Sequence, residues 1–416
     1  MAATKRVGIL IGGGDVPGLN MCLKSLVYRT IDLGFEPIGI RKGWEGLIHY
    51  NPASPSTYSD RFIELTKNTV RPIDRTPGSF LHSSRLDPRR TPRALAPEYL
   101  RAKTPEPLDL TGHIAQAIER LGYQALIVIG DDDTLHFAAH LSRLGVPIIA
   151  IPKTIHNNIL GTDYTLGFST GLMRGVAFIH ELRALAGSRE QLVVLETFAA
   201  KSGYSALLMG LLSGVDRVLI PEVEYIPDQL AYLLTQDKRQ TPANYAVLLV
   251  CNGARPALEP VQRYARLLAP DSPPELSHPP AGEAHPAEAS GKLSQEALDG
   301  YHSLVGSGMI AAQLMAHITG EEVFLQSLTY LLRTGPPDGQ DLLGAANFAL
   351  TAARLLAEGK TGRLAAFVQD KMWCDVELQA AAAGIKTVDV EGMYDRQTYQ
   401  PQLELIWSIN RPRSQS

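Results

Sequence analysis

The chain has 416 residues, 45% of them hydrophobic and 20% charged, with a formal net charge of −4. This is the composition of an ordinary globular protein; it excludes a general nucleic-acid or membrane-surface role but leaves room for local phosphate sites. The length predicts two domains, and three scattered cysteines, Cys22, Cys251 and Cys374, fit reduced thiols in a cytoplasm better than a disulfide framework or a zinc site.

From the N-terminus, Met1-Ala-Ala-Thr-Lys-Arg6 runs directly into a strand over Val7–Ile11, which leaves no apolar signal segment. A glycine-rich turn follows, then a helix from about Pro17 to Leu33, with proline near its first turn. Ala125–Ile129 reads as a second strand with a helix over about Thr134–Leu144 behind it, and Val146–Ile151 as a third. Further strands are expected at Leu192–Leu195, Arg217–Ile220, Ala246–Cys251 and Leu364–Val368. Short Val/Ile/Leu runs separated by helical patterns indicate parallel strands covered on both faces, hence a doubly wound α/β protein. The rhythm breaks over 255–290, a stretch rich in Pro, Ala, Glu and His that reads as a flexible insertion. His278 and His285 lie in it without companion metal ligands. No run of about 18 apolar residues suggests a membrane span.

Two loops invite phosphate chemistry. The first strand ends in Gly12-Gly-Gly-Asp-Val-Pro-Gly-Leu-Asn20, where glycine lets a backbone approach a phosphate and the next helix presents free N–H groups. A tight turn that uses glycine for sterics alone is the competing reading. The second strand ends in Gly130-Asp-Asp-Asp-Thr134. Successive carboxylates repel one another unless a cation or hydrogen bonds offset them. Mg2+ with phosphate is one such counter-charge, since it takes one or two carboxylates plus phosphate oxygens; an acidic loop with a threonine cap is the other reading.

The segment Ile151-Pro-Lys-Thr-Ile-His-Asn-Asn-Ile-Leu-Gly-Thr-Asp-Tyr-Thr-Leu-Gly-Phe168 resembles the catalytic segment of the phosphofructokinase family. That segment usually reads Pro-(Gly/Lys)-Thr-Ile-Asp-Asn-Asp, then Gly-Thr-Asp-x-Thr-x-Gly-Phe. The second half is intact. In the first half, His156 stands where the family has its catalytic aspartate and Asn158 where it has a second acidic residue. The glycine turn resembles the family's Gly-Gly-Asp-x-Pro-Gly-x-Asn element, Gly130–Thr134 its Gly-Gly-Asp-(Gly/Asp)-(Ser/Thr) element, and Gly78-Ser-Phe-Leu-His-Ser-Ser-Arg85 its Gly-x-x-Leu-x-(Ser/Thr)-(Ser/Ala)-Arg turn. The resemblance runs from Arg6 to about Leu212, through Arg217–Glu222, and after the insertion to Asp389–Pro401.

The resemblance implies two doubly wound parallel-sheet domains facing a cleft. A donor domain would comprise 1–166 plus 334–383, and an acceptor domain 167–333 plus 384–416. Gly13, Trp44, Arg85, Asp133 and Lys153 would contact the phosphoryl donor, and Asp132 the Mg2+. Thr154, His156 and Arg85 would be catalytic. Asp133 with Lys153 matches the pyrophosphate-using pattern: the aspartate crowds a nucleotide α-phosphate, and lysine holds pyrophosphate as a point charge. Histidine can serve as a base near neutral pH, but a loop histidine also makes structural hydrogen bonds.

The acceptor side departs further from the family. Phe198, Ala199 and Ala200 occupy the usual Met-Gly-Arg, with Lys201 adjacent. Asn252 replaces a glutamate before Gly253-Ala254. Tyr330 replaces a histidine while Arg333 is kept, and Gln191 and Phe324 fall where arginines stand. Asn252, Tyr330 and Arg333 are the remaining acceptor-binding candidates. The resemblance therefore implies a Mg2+-dependent phosphotransferase using pyrophosphate or ATP, with a sugar or sugar phosphate as acceptor and weak or absent activity on fructose 6-phosphate. The alternative is a catalytically impaired homologue that senses a phosphometabolite or regulates an active phosphofructokinase subunit. Homo-oligomerisation is implied because family acceptor sites are shared between subunits.

Overall fold

The computed structural model describes residues 5–51, 53–54, 56–101, 107–268 and 294–402. The chain forms two compact units, Met1–Gly171 with Arg333–Lys386, and Leu172–Leu332 with Thr387–Ser416. In chain order the strands are β1 Lys5–Ile11, β2 Phe35–Ile40, β3 Phe62–Glu64, β4 Ala125–Gly130, β5 Ile148–Pro152, β6 Leu192–Thr197, β7 Arg217–Leu219, β8 Ala246–Cys251, β9 Val323–Ser327, β10 Arg363–Val368, β11 Met372–Glu377, β12 Tyr394–Asp395 and β13 Gln400–Pro401.

The first unit holds a seven-stranded sheet in the order β11-β10-β5-β4-β1-β2-β3. Its centre is parallel, and only the edge pairs β2/β3 and β10/β11 are antiparallel. Every residue of β4 and β5 is buried, as expected of parallel strands with helices on both faces. One face packs Trp44, Leu47, Ile114, Ile118, Phe137 and Leu141 against Leu10, Leu126 and Val128. The opposite helices, Leu19–Asp32 and Gly339–Ala357, lie against each other. The second unit carries a parallel sheet in the order β7-β8-β6-β9, and β12 and β13 form a separate small hairpin. Both sheets are doubly wound in the sense the sequence predicts.

The differences from the sequence reading are local. The first helix starts at Leu19, because Gly18 adopts φ 83 and Pro17 is left in the turn before it. The helix expected from Thr134 begins at Asp132, because the Asp131 side chain caps it by accepting from Thr134 N. Strand β2 was hidden by Pro37 and Gly39; a Cβ at Gly39 would sit 2.6 Å from Leu81 Cδ2, so close packing selects glycine there. Strands β9 and β11 mix polar and apolar residues and were also unforeseen. Of the 255–290 stretch, residues up to 268 are built into the second unit: Leu258–Val261 is helical and Arg255 pairs with Asp299. Residues 269–290, with His278 and His285, lie outside the described residues, as does 403–416.

Candidate active site

The carboxyl ends of β1, β4 and β5 bring three loops of the first unit together. After β1, Gly13 has φ 83, and a Cβ there would lie 1.8 Å from Asp131 Oδ2, so only glycine fits against this carboxylate. The turn's N–H groups are used internally: Gly12 N donates to Ile129 O at 3.0 Å, Gly13 N to Ser84 O at 3.0 Å, and Gly14 N to Asp131 Oδ2 at 3.2 Å. Asp131 Oδ1 also accepts from Thr134 Oγ1 at 2.7 Å. Burial alone would raise the Asp131 carboxyl, but the charge of Lys153 and the bonds from Thr134 and Gly14 outweigh it and hold the group below the ordinary carboxylate range. Of the acidic run, Asp131 is thus the residue turned inward. Asp132 is half-buried and Asp133 exposed in the helix's first turn.

Lys153 is completely buried, and its Nζ donates to Gly14 O at 2.6 Å. Burial pushes its pKa down to about 8; Asp131 opposes the shift, while Arg333 adds to it. Two guanidinium groups reach the same backbone. A Cβ on Gly14 would lie 2.6 Å from Arg333 Nη1 and 2.7 Å from Arg85 Nη2. Arg333 Nη1 is 3.4 Å from Asp15 O, and its Nη2 is 3.3 Å from His156 Nε2. Arg333, expected in the acceptor group, thus falls with the loops of the first unit. Like charges gathered this closely repel unless an anion sits among them.

His156 follows Thr154, which is buried and accepts from His156 N through its Oγ1 at 3.1 Å. Burial, then the Arg333 charge, pushes the His156 pKa down to about 3. The imidazole is therefore neutral near pH 7. Trp44 is buried with its ring 4.9 Å from Phe137, and its indole N–H has no acceptor among the described residues. A narrow pocket joins Trp44 and Phe137 to Arg85, Asp131, Asp133 and Thr134.

Two charged residues that anchor the loops went unnoticed in the sequence. Asp341 is fully buried and accepts from Tyr164 Oη at 2.5 Å, Gly167 N at 2.7 Å, Thr170 N at 2.8 Å and Thr170 Oγ1 at 2.5 Å. It thereby accepts from backbone N–H groups at the start of the helix Phe168–Arg189 and from the Tyr164 hydroxyl just before it. Lys386 Nζ donates to Thr162 O at 2.9 Å, and Thr162 Oγ1 in turn accepts from Phe367 N at 3.1 Å, tying the loop to β10. An acid in a helix's first turn looks like an ordinary dipole partner, so nothing local marks Asp341.

In the second unit, β6 is followed by Phe198, whose ring meets the 70%-exposed Tyr330 edge-on at 5.1 Å. Asn252 Oδ1 accepts from Ala199 N at 2.7 Å, and Gly253 packs on Ala200, where a Cβ would lie 2.2 Å from its carbonyl oxygen. Asn252 thus braces the Phe198–Ala200 turn.

Among the described residues no cluster of three or more His, Cys, Asp or Glu side chains forms a ready-made metal cage. Mg2+ does not require one, because phosphate and water complete its shell. Asp132 and Asp133 stand side by side in the first turn of the helix after β4, and Asp133 lines the Trp44–Phe137 pocket with Arg85. No helix among the described residues is long and apolar enough to cross a membrane.

Fold and site together define a parallel α/β protein with charged side chains gathered where the strands of its first unit end. The phosphofructokinase family model matches residues 6–356. An ATP-dependent 6-phosphofructokinase of Chloroflexus aggregans is 31% identical over 371 residues, 88% of each chain. A pyrophosphate–fructose 6-phosphate 1-phosphotransferase of Dictyoglomus thermophilum is 30% identical over 384 residues, 92% of this chain and 95% of that one. Among solved structures, a pyrophosphate-dependent phosphofructokinase of Nitrosospira multiformis superposes with a TM-score of 0.71 at 14% identity, covering 96% of this chain and 89% of the other. The chain belongs to the phosphofructokinase family.

Proposed function

We propose that this chain is a Mg2+-dependent phosphotransferase that uses pyrophosphate in preference to ATP and phosphorylates a sugar or sugar phosphate, with fructose 6-phosphate a poor acceptor. The observation that carries the donor reading is the convergence of Arg85, Lys153 and Arg333 on Gly14. Preorganised cations of this kind bind diphosphate and stabilise charge on a transferring phosphoryl group. Asp133 beside the narrow Trp44–Phe137 pocket leaves little room for a nucleotide α-phosphate. Asp132 and Asp133 would hold Mg2+, which supplies neutralising charge to the phosphate oxygens. In the reaction the acceptor oxygen bonds to phosphorus, the bridging P–O bond breaks, orthophosphate leaves and the hydroxyl proton is released.

Weak use of fructose 6-phosphate follows from Ala200, Phe324, Gln191 and Tyr330, which supply none of the cations the family pattern places there. A phosphate without such partners is costly to bury. One observation favours the second reading, a homologue that binds phosphometabolites with little turnover: His156 Nε2 is engaged with Arg333, so the ring is a poor proton acceptor. Calorimetry with Mg2+-pyrophosphate and Mg2+-ATP tests the donor; pyrophosphate is expected to bind more tightly, and no binding of either at millimolar concentration would end the donor reading. A product screen over sugars, polyols and nucleosides separates the two classes: a phosphorylated product supports the enzyme, and tight binding without product supports the sensor.

A further inference from the structure

This step rests on the donor reading above and concerns what stands in the donor's way. The turn after β1 has three glycine N–H groups that could face a phosphate, and all three are taken. Gly12 N and Gly13 N donate to the carbonyls of Ile129 and Ser84, bonds that fix the turn to β4 and to the loop before Arg85. Gly14 N differs: at 3.2 Å it meets Asp131 Oδ2, a side-chain anion that can leave without undoing the backbone. The same carboxylate lies over Gly13, where a Cβ would be 1.8 Å from Oδ2 and 2.1 Å from Cγ. Position 131 is a glycine in the family pattern, so the carboxylate fills a place that the pattern leaves without a side chain. The surroundings are closed as well. The cavity that Asp131 lines with Trp44, Arg85, Asp133, Thr134 and Phe137 measures about 20 Å³, room for about one water and too little for a diphosphate. The Trp44 indole N–H, buried in its wall, has no acceptor among the described residues. Buried donors without partners are rare and call for an explanation; a ligand held in an opened form of this cavity gives one.

We infer that Asp131 is an internal competitor for the phosphoryl donor: its carboxylate occupies the anion position of the glycine turn, and diphosphate binds only after the side chain has turned away from Gly14. Two anions at such close range repel and do not share one position. Asp131 Oδ1 accepts from Thr134 N at 3.3 Å and from Thr134 Oγ1 at 2.7 Å, which makes it the cap of the helix Asp132–Arg143 and keeps the closed form the major one. An open form populated at about 1–10% weakens the apparent affinity by about 10- to 100-fold.

The test compares the full-length protein with Asp131→Ser and Asp131→Asn. The readout is calorimetric affinity for Mg2+-pyrophosphate and, separately, for orthophosphate alone. Serine keeps a helix cap and vacates the turn, so affinity for Mg2+-pyrophosphate is expected to rise at least about tenfold. Asparagine keeps the shape of the side chain but holds Gly14 N without charge, and a rise of about threefold is expected. A merely structural cap gives no change or the opposite sign, because loosening a helix does not tighten a site. A folded serine variant that binds pyrophosphate no more tightly than wild type overturns the inference and leaves pyrophosphate as donor. If the serine variant does not fold, asparagine decides: tighter binding supports the inference, and unchanged or weaker binding overturns it. A serine variant that gains orthophosphate while neither protein binds pyrophosphate keeps the inference and ends the donor reading. Absence of binding of either anion to any of the three proteins ends both.

Discussion

The two units are built alike and use their strand ends differently. In the first, the loops after β1, β4 and β5 concentrate charge: Asp131 turned inward, Lys153 buried, Arg85 and Arg333 on one glycine. In the second, the corresponding loops carry Phe198, Ala199, Ala200, Asn252 and Tyr330, and their polar atoms knit the scaffold. Asn252 Oδ1 braces Ala199 N, and Glu222 accepts from Gly203 N at 2.9 Å and Val388 N at 3.0 Å. Strand ends alone therefore do not make a charged site. A lysine held in the interior with a depressed pKa costs stability, and charge kept at such a cost marks a functional position far better than a loop's place in the fold does.

The largest effect expected separates charge kept for function from charge kept for structure within the first unit. Asp341→Ala leaves the buried donors of Tyr164, Gly167 and Thr170 without their acceptor. Each orphaned donor costs about 1–3 kcal/mol, and a loss of about 4 kcal/mol in unfolding free energy is expected from urea denaturation. At temperatures where this variant remains folded, its diphosphate affinity should stay near that of wild type. A loss of affinity without a loss of stability would move Asp341 into the site.

Lys153→Met is expected to do the reverse. The thioether fills the lysine's volume and removes the charge-assisted contacts, so Mg2+-pyrophosphate affinity should fall by about 100-fold in calorimetry, the worth of two charge-assisted hydrogen bonds. Stability should change little, because the lost charge was itself expensive to bury. A variant that unfolds but still binds would make Lys153 a scaffold residue.

The third change breaks the contrast from the other side. Ala200 is exposed, on the loop after β6. Ala200→Arg adds the cation that the family pattern places there, and a lowering of KM for fructose 6-phosphate by about tenfold is expected from one charge-assisted contact to phosphate. No change in KM would show that missing charge does not explain the acceptor loop.

What the sequence made legible follows the range of the interactions. The parallel strands and the glycine and acidic loops were readable because hydrophobic runs and turn residues report local geometry. The role of Asp131 was not, because three adjacent aspartates look alike until the helix begins and only one is turned inward to Gly14 and Thr134. Arg333 was read with the acceptor residues. Its partner His156 lies 177 positions away in sequence, and no local pattern reveals such a pairing. Asp341 was missed for the same reason, since its partners at Tyr164, Gly167 and Thr170 are equally remote.

The smallest effect is the pH dependence of Lys153, and it carries two opposite signs. The ordinary lysine value is 10.5, and in the folded protein it falls to about 8. Between these values the unfolded chain binds the proton and the folded protein does not, so stability rises with pH across that window; the penalty for the buried charge is present in full below it. From about pH 7.5 to about pH 8.5 the gain should be about 0.7 kcal/mol in unfolding free energy. Over the same interval the protonated fraction falls about threefold, and affinity for Mg2+-pyrophosphate should fall with it. Lys153→Met should be flat in both measurements once the titration of pyrophosphate itself is subtracted. Stability and affinity that moved together with pH in wild type would place the titrating group elsewhere, because only a buried cation facing an anionic ligand makes the folded protein stronger as it makes the site weaker.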